Sequence, residues 1–549
     1  MKFEEKLKEY KDWDLWKEYC GFLELTTEEF MAIQNRLMLE QLRIWEKSGI
    51  GKRLLKGKQP KTIEEFRKVM PLTSYEDYAD VLSLKDKTML PDDPVIWIQT
   101  TWEGGRHTIK LAPYTRGMLE TYQNNMLGCL MLSTSDGRGN FDVSPKDTIL
   151  YALAPLPYAT GIFPMLLNDA ISIEFLPPVK EAQKLSFSER NKKGFKMGLK
   201  KGIDFFFGVG SVTYYVSLSI ASLGSGHKGG KKSGDEKGTG MSVSPFMLAR
   251  FLRAKKRCQK EGRELLPKDI FRLKGFMCAG TDNRLYRDDL EKMWGIRPME
   301  IFAGTEPTCI GTEIWSRDGM YFFPDACFYE FIPEKEMERS LSDPSYQPRT
   351  CLMNEVEEGE KYELVISVFK GGVFMRYRVG DVYRCLALES DRDNVRFPRF
   401  EYIDRIPTVI DIAGFTRITE NSVERVITLS GLAVEDWVAA KEVTENKRPF
   451  LHMYVEMKPE CLFSSAVTVS ILKEHMGVYF KYVDEDYKDL KKILGIDPLE
   501  ITILRCGTFQ TYYETGREKM RRINPTQYEL GELLKSQERV SDKGRRYKV

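Results

Sequence analysis

The chain has few of the residues that hold metal ions or build disulfide frameworks. Its ten cysteines are scattered singly without a C-x-x-C pair, and none of its four histidines forms a ligand pair with a cysteine. A structural zinc site needs such ligands at short spacing. The sequence therefore predicts no structural zinc, and it predicts reduced, buried thiols of the kind found in cytosolic proteins.

A strong charge of either sign is also missing. The 83 lysines and arginines nearly balance the 81 aspartates and glutamates, so the formal net charge is +2. This balance creates no field strong enough to predict a nucleic acid as partner. With 42% apolar and 30% charged residues, the 549-residue chain is expected to be a soluble globular protein of two or more domains.

The first residues are charged and lack the apolar core of a signal peptide, so a cytoplasmic location is expected. One later run, residues 205–223, is about long enough to span a bilayer. It contains many Ser, Thr and Tyr residues and two glycines, and we interpret it as a buried helix; weak peripheral membrane contact and a transmembrane span are the less favoured alternatives. The following residues 224–240, rich in Gly, Ser and Lys, predict a flexible surface loop.

The most informative stretch is residues 301–306, I-F-A-G-T-E. An apolar run followed by a small pair and polar residues predicts a buried strand that ends in a tight loop, and open α/β sheets bind ligands at such strand ends. Phe302 offers a ring for a base, Gly304 allows close backbone approach, Thr305 offers a hydroxyl for phosphate, and Glu306 offers a carboxylate for Mg²⁺. So short a match also fits an ordinary strand-to-loop junction, and it needs support elsewhere.

Support comes from residues 377–381, Y-R-V-G-D, at the end of another apolar run. An aspartate after a turn glycine suits a ribose diol, because one carboxylate accepts hydrogen bonds from two neighbouring hydroxyls. Two such loops in this order, with Lys519 near the C-terminus, resemble the adenylate-forming superfamily of acyl-CoA synthetases, peptide-synthetase adenylation domains and luciferases. Within it, the sequence most resembles the auxin-responsive family of acyl-acid amido synthetases.

Four further segments extend the resemblance over nearly the whole chain. Residues 69–78 (V-M-P-L-T-S-Y-E-D-Y) are similar to the family's entry segment, and residues 147–161 (D-T-I-L-Y-A-L-A-P-L-P-Y-A-T-G) to the superfamily segment that leads into the acyl pocket. Residues 276–282 (F-M-C-A-G-T-D) resemble the strand and small residues that line adenine, and residues 506–522 are similar to the family's closing G-T-F…Q-x-K-x-P-R pattern. The order of these segments is more specific than any one of them.

The resemblance implies an α/β fold in two domains. A large N-terminal adenylate-forming domain of sheets flanked by helices is expected over residues 1–402, and a small α+β C-terminal lid domain over residues 403–549. Asp404 and Arg405 are similar to the superfamily's arginine motif at the hinge. The periodicity of the downstream sequence predicts a strand, a helix and a second strand at residues 449–457, 467–480 and 501–506.

The implied reaction is the ATP-dependent activation of a carboxylic acid. A carboxylate is a poor electrophile because attack on it adds negative charge to an anion, and a mixed anhydride with AMP supplies a good leaving group. The acid attacks the α-phosphorus in line, so positioning and neutralisation of charge supply most of the catalysis. In this family the second acceptor is usually an amino acid, and the products are an amide, AMP and pyrophosphate.

The resemblance also assigns roles to single residues. Thr305 would contact the α-phosphate, Glu306 would hold Mg²⁺, and Lys519, if it is not simply a surface lysine, would bridge the acid and the phosphate until the lid withdraws it. The implied catalytic residues are Lys519, Thr305 and Glu306, and the only implied metal ligand is Glu306. The implied cofactors are ATP and Mg²⁺. The implied nucleotide-binding residues are Thr100, Thr101, Gly104, Gly105, Lys110, Ala279, Gly280, Phe302, Ala303, Gly304, Thr305, Tyr377, Asp381 and Arg405.

The phosphate loop, within residues 98–115, departs from the family pattern of a Ser/Thr/Gly-rich turn that ends in a lysine. Trp102 and Glu103 occupy positions where the family has a small hydroxyl residue and a glycine. A glutamate repels a triphosphate, and a tryptophan blocks close backbone approach. Either the loop is re-registered around Gly104 and Gly105, so that residues 106–108 reach the phosphates, or adenylation is weakened or lost. We favour retained adenylation.

Three functions therefore stay open: a ligase that joins an acid to an amine, a ligase whose acceptor is coenzyme A or another thiol, and a catalytically silent relative that binds a nucleotide or acyl ligand. The apolar character of residues 153–163 and 205–216 suggests an aromatic or aliphatic acid rather than a sugar acid. The sequence leaves the oligomeric state open.

Overall fold

The computed structural model describes residues 1–100, 107, 109–185, 187–225, 245–414, 416–459, 465–483, 498–516 and 519–540. The chain divides into two compact units, one of Met1–Thr100 with Lys110–Asp404 and one of Thr101–Ile109 with Arg405–Val549. The sequence predicts a boundary between residues 402 and 403, and the division into a nucleotide-binding domain and a lid stays a prediction. Most of the flexible loop predicted at residues 224–240 lies outside the described residues.

The first unit alternates helices and strands. Its helices are α1 (Phe3–Glu9), α2 (Asp12–Cys20), α3 (Thr27–Trp45), α4 (Gly49–Leu54), α5 (Ile63–Val69), α6 (Ala79–Ser83), α7 (Arg116–Thr134), α8 (Phe163–Ala170), α9 (Val179–Ala182), α10 (Phe187–Lys201), α11 (Gly210–Ser225), α12 (Pro245–Glu261), α13 (Pro267–Ile270), α14 (Asn283–Trp294) and α15 (Glu334–Ser342). Its strands are β1 (Ile96–Gln99), β2 (Leu111–Tyr114), β3 (Thr148–Ala152), β4 (Glu174–Leu176), β5 (Phe205–Val209), β6 (Gly275–Ala279), β7 (Met299–Gly304), β8 (Thr308–Thr312), β9 (Tyr321–Phe322), β10 (Cys327–Pro333), β11 (Lys361–Val368), β12 (Tyr377–Ala387) and β13 (Arg399–Arg405), whose last residue belongs to the second unit.

A seven-stranded sheet forms the centre of the first unit, in the order β4-β3-β5-β6-β7-β8-β9. The strands from β4 to β7 are parallel, and β8 and β9 continue the sheet in antiparallel fashion. Every residue of β3 and β6 is buried, as expected for central parallel strands with both faces covered. Helices α7 and α11 pack against this sheet. The predicted α/β class is confirmed.

The prediction of one buried helix over residues 205–223 is wrong in its first part. Phe205–Val209 forms strand β5, between β3 and β6, and only then does helix α11 begin at Gly210. Three consecutive phenylalanines suit a strand that is buried on both faces, and a short apolar run cannot be told from a helix by periodicity alone. No helix within the described ranges has the length and apolar composition that crossing a bilayer requires.

A second sheet of the first unit has the order β10-β11-β12-β13. It shares one hydrophobic core with the seven-stranded sheet, to which Phe322, Phe331 and Phe400 contribute nearly parallel rings about 5–6 Å apart. The first unit thus has two large sheets that share one core, a small antiparallel sheet of β1 and β2, and helices around them.

The second unit combines β14 (Val409–Ile412) and β15 (Thr416–Thr419) with a three-stranded sheet of β16 (Val434–Val443), β17 (Pro449–Met457) and β18 (Leu499–Leu504). Its described helices are α16 (Glu420–Ser430), α17 (Ser465–Val483), α18 (Thr508–Glu514) and α19 (Gln527–Arg539). The strand, helix and strand predicted downstream of residue 440 are confirmed as β17, α17 and β18. The parallel pairing of β17 with β18 across α17 gives this unit its α+β character.

Candidate active site

The carboxyl ends of strands β3, β5, β6 and β7 meet at one edge of the seven-stranded sheet, because these strands are parallel. Ala279 and Gly280 lie at the end of β6, and Phe302 lies near the end of the adjacent β7. The structure therefore brings these two predicted segments together. Gly280 has a φ of 117°, and a Cβ atom there would lie 3.2 Å from Val209 Cγ1, so the position requires glycine.

A tight turn joins β7 to β8 and presents Thr305 and Glu306. Gly304 pairs with Thr308 across this turn. The hydroxyl of Tyr114, at the end of β2, donates to the carbonyl oxygens of Gly304 at 3.1 Å and Thr305 at 2.8 Å. Burial, with the nearby Tyr122 and Glu306, raises the pKa of Tyr114 well above its ordinary value, so this phenol remains a donor. The sequence analysis did not identify Tyr114.

One hydrogen bond joins the two motifs that the sequence singled out. The hydroxyl of Tyr377 donates to Glu306 Oε1 at 2.9 Å, and both residues are buried. Within the described residues, no donor reaches the other carboxylate oxygen of Glu306. The stretches around residues 304 and 377, which are more than 70 positions apart, thus lie in one cluster.

The prediction that residues 377–381 form a loop at a strand end is wrong. They begin strand β12, and Asp381 is buried at 3% exposure. The pairing of β12 with β11 shifts register between Glu363 and Val365, which is the sign of a β-bulge, and Gly380 at the bulge has a φ of 80°.

Strand β12 begins only at Tyr377. In the apolar run before it, side chains form hydrogen bonds with the backbone. Thr73 Oγ1 donates to the carbonyl of Met375 at 2.7 Å, and the amide of Met375 donates to the hydroxyl of Tyr78 at 2.9 Å. The apolar run before Tyr377 is therefore buried without joining the sheet. Only the long-range partners of this run distinguish it from a strand.

Aromatic rings surround Phe302, which the sequence analysis assigned to adenine. Tyr402 stacks on it with centroids 5.7 Å apart, and Tyr383 meets it edge-on at 5.3 Å. The sequence analysis did not identify either tyrosine. The signal that could have found Tyr402 is its position two residues before Asp404, in the arginine motif.

The predicted phosphate loop connects β1 to β2, and its two ends are bonded to each other. The Thr100 amide donates to the carbonyl of Lys110 at 2.9 Å, and the Lys110 amide donates to Thr100 Oγ1 at 3.1 Å. The other predicted residues of this loop, Thr101, Gly104 and Gly105, lie outside the described residues. So do Trp102 and Glu103, the two residues that depart from the family pattern.

Arg405 and Lys519 belong to the second unit. Lys519 is exposed, and Arg522 three residues later is held by Glu424 and Asp436, each at 3.1 Å, and lies 5.2 Å from the Trp437 ring. The segment after Lys519 is therefore anchored, and the catalytic role of Lys519 stays a prediction.

No group of three or more His, Cys, Asp or Glu residues in the described part of the chain could hold a metal ion.

Two carboxylates lie close together in the first unit, that of Glu300 on β7 and that of Glu313 just after β8. The amide of Glu300 donates to Glu313 Oε2 at 2.8 Å, and Asn283 Nδ2 donates to Glu300 Oε1 at 3.2 Å. Burial, and then the negative charge of Glu313, raise the pKa of Glu300 above its ordinary value of 4.5.

We expect Glu300 to make the protein less stable as the pH rises above 4.5. In that range the unfolded chain has already released this proton and the folded protein retains it, so the free energy of unfolding falls by up to about 1.4 kcal/mol per pH unit. The fall ends where the folded protein also ionises. Glu300→Gln should remove this part of the slope in denaturant unfolding measured from about pH 5 to about pH 8.

The control is Glu338→Gln, an exposed residue on α15. It should keep the wild-type dependence of unfolding free energy on pH. Equal slopes in Glu300→Gln and the wild type would contradict the assignment.

Two solved ligases share the fold described above. A 2-hydroxyisobutyryl-CoA ligase, solved with its acyl-AMP and CoA, has this fold with a TM-score of 0.56 and 15% identity, over 93% of this chain and 92% of that one. The Arabidopsis-type GH3.15 acyl acid amido synthetase, solved with 2,4-DB, has it with a TM-score of 0.52 and 18% identity, over 95% of this chain and 96% of that one. At these identities the likeness establishes the fold.

Two family models match parts of the sequence. Residues 20–143 match the GH3 family N-terminal domain, and residues 320–405 match the GH3 family central domain. Two segments of the chain are therefore similar to GH3 family domains, and the resemblance to acyl-acid amido synthetases is confirmed. It is 29% identical over 202 residues to a jasmonoyl–L-amino acid synthetase, GH3.5, of Oryza sativa subsp. japonica, a match of 34% of this chain and 32% of that protein. It is 23% identical over 235 residues to the indole-3-acetic acid-amido synthetase GH3.15 of Arabidopsis thaliana, a match of 42% of this chain and 34% of that protein. These matches span about a third of the relatives' own length.

Proposed function

We propose that the protein uses ATP to activate a carboxylic acid as an acyl adenylate and then transfers the acyl group to the amine of an amino acid. The observation that carries this proposal is the hydrogen bond from Tyr377 to Glu306 at the carboxyl edge of the sheet. This hydrogen bond joins the turn that bears Thr305 and Glu306 to the strand that bears Asp381. A single bound adenosine phosphate would need groups from both. The two segments similar to GH3 family domains and the amido synthetase activities of the relatives support the choice of reaction.

In the first step, a carboxylate oxygen of the acid attacks the α-phosphorus of ATP and pyrophosphate leaves. Phe302 packs on the adenine, the Thr305 hydroxyl donates to the α-phosphate, and Asp381 accepts hydrogen bonds from the ribose. Lys519 neutralises the charge that the acid and the phosphate bring together. The rate then depends mainly on how well these groups are positioned.

Glu306 fits the role of Mg²⁺ ligand. Mg²⁺ at a nucleotide site is commonly held by one or two carboxylates together with the substrate's phosphates. One oxygen of Glu306 is engaged by Tyr377, which orients the carboxylate. The other oxygen accepts no hydrogen bond from the described residues and is available to the ion, which would neutralise phosphate charge.

In the second step, the amine nitrogen attacks the acyl carbon, the bond to AMP breaks, and the amine gives up a proton. An aromatic or aliphatic acid suits the apolar residues 153–163 and 205–216. A thiol acceptor such as coenzyme A is the alternative. A catalytically silent relative is the third reading, because Trp102 and Glu103 stand in the predicted phosphate loop. We also propose a cytoplasmic location.

The test is pyrophosphate release from ATP and Mg²⁺ with a panel of aromatic and aliphatic acids. We expect at least one acid to trigger release, and Asp381→Ala to slow it about tenfold or more, because a ribose hydrogen bond to a charged group is lost. The matched control is Asp391→Ala, since this aspartate has an exposed side chain, and it should release pyrophosphate like the wild type.

Release by no acid favours the silent relative, and unchanged release in Asp381→Ala refutes the ribose assignment. A screen of amino acids against coenzyme A, with the active acid supplied, then separates the amide-forming from the thioester-forming ligase.

A further inference from the structure

A cavity of about 560 Å³ lies in the first unit, and none of its lining residues belongs to the candidate active site. Helix α5, the segment after it and residues 347–350 form its walls, with Arg376 beside them. Its volume lies within the range of sites that bind small molecules.

The walls of this cavity carry an excess of positive charge. Its cationic residues are Lys56, Arg67, Lys68, Arg349 and Arg376. Glu64 is the single acidic residue among them. The cavity belongs to a chain whose lysines and arginines nearly balance its acids overall, so the concentration of positive charge is local.

Two of these cations are engaged by one buried carboxylate. Glu330 accepts from Arg376 Nε and Nη2, both at 2.9 Å, and from Arg67 Nε at 3.1 Å. Arg376 is fully used, because its Nη1 donates to the carbonyls of Arg67 and Met70. Arg67 keeps its Nη1 free of any hydrogen bond to the described residues.

The other three cations are exposed, and the nearby acids Glu64 and Glu336 act on the side chains of Lys68 and Arg349 through their charge alone. The side chains of Lys56, Lys68 and Arg349 make no hydrogen bond or ion pair with any residue in the part of the chain that the structure describes. Elsewhere in the same unit, comparable arginines are paired, as Arg378 is with Glu363 at 2.6 Å and Arg53 is with Asp80 at 2.6 Å. Five cationic residues line the cavity against one acidic residue of the lining, so an anion among them would relieve the repulsion between like charges.

We propose that this cavity binds a small oxyanion of two or more negative charges, held by Arg349, Lys68 and the free Nη1 of Arg67. Guanidinium groups donate to phosphate or carboxylate oxygens in paired, charge-assisted bonds. Val69, Pro71, Leu72 and Pro348 add an apolar side to the cavity, which suits an anion attached to a short carbon skeleton. A phosphate monoester and a polycarboxylate share this chemistry.

The experiment is isothermal titration calorimetry of the whole protein without ATP, with inorganic phosphate and citrate titrated separately in chloride buffer of matched ionic strength. We expect one binding site per chain. The probe with the lower Kd shows whether the natural ligand is a phosphate ester or a polycarboxylate. Arg349→Ala and Lys68→Ala should each raise the Kd about tenfold, because each removes a charge-assisted contact. Arg349→Glu should abolish binding.

The matched control is Lys58→Ala. Lys58 is exposed and two positions from Lys56, but it does not line the cavity, so its Kd should equal that of the wild type. Absence of binding by both probes overturns the proposal. Binding that is equally tight in Arg349→Ala, Lys68→Ala and the wild type also overturns it, because the anion then sits elsewhere. Neither result bears on adenylation, which is measured separately.

Discussion

Replacing Glu306 by glutamine is expected to slow acid-dependent pyrophosphate exchange about 100-fold or more, because in the proposed function the lost carboxylate charge would hold the Mg²⁺ that neutralises the phosphates. The change keeps the size of the side chain and an oxygen that can accept from Tyr377, so the turn between β7 and β8 should keep its shape. The measurement is the exchange of labelled pyrophosphate into ATP with the acid that the wild type uses.

Tyr377→Phe separates the charge of Glu306 from its orientation. This variant keeps the carboxylate and loses one hydrogen bond, so it should slow exchange only about tenfold. If Glu306→Gln exchanges pyrophosphate within about twofold of the wild type, the carboxylate does not act on the phosphates. Circular dichroism of both variants checks that the fold is intact.

Glu330→Ala is expected to lower the free energy of unfolding by about 3–5 kcal/mol, because it leaves buried positive charge without compensation. Glu330 is 1% exposed on β10, where it accepts from Arg67, Arg376 and the Thr350 hydroxyl. Arg376 also has a φ of 45°, a left-handed conformation that its guanidinium bonds help to maintain. Denaturant unfolding at neutral pH measures the loss.

The control for Glu330 is Glu334→Ala, four residues further along the chain. Glu334 pairs with Lys361 at 2.8 Å, but both side chains are about one-third exposed. Solvent screens such a pair, so its loss should cost less than about 1 kcal/mol. Equal costs for the two variants would show that burial of Glu330 contributes nothing to the network.

Local pattern was sufficient for several elements of the candidate site. The run that ends at Gly304 is a strand, and the small pair Ala279 and Gly280 ends the adjacent strand, as the sequence predicts. The strand, helix and strand of the second unit are likewise confirmed. These elements rest on apolar periodicity and turn residues within about ten positions, and such signals act before the chain folds. The α/β class, which is also confirmed, was implied by the family resemblance.

Errors arose where long-range contacts decided the outcome. Residues 205–209 form a strand because β3 and β6 flank them, and residues 377–381 begin strand β12 rather than forming a loop because they pair with β11. Tyr114 was missed because nothing in its own segment indicates a partner at the end of β7. Tyr402 was missed although it lies two residues before Asp404.

The sequence by itself therefore determined the order of the motifs and the chemistry that each side chain offers, because these depend on residue type and short spacing. Its family resemblance implied the fold class. Only the tertiary structure decided that Tyr377 donates to Glu306, that Asp381 lies in a bulge within a strand, and that five cationic residues line one cavity beside α5. These features depend on contacts between residues that are far apart in the chain, and each such contact exists only once the sheets have packed on their common core.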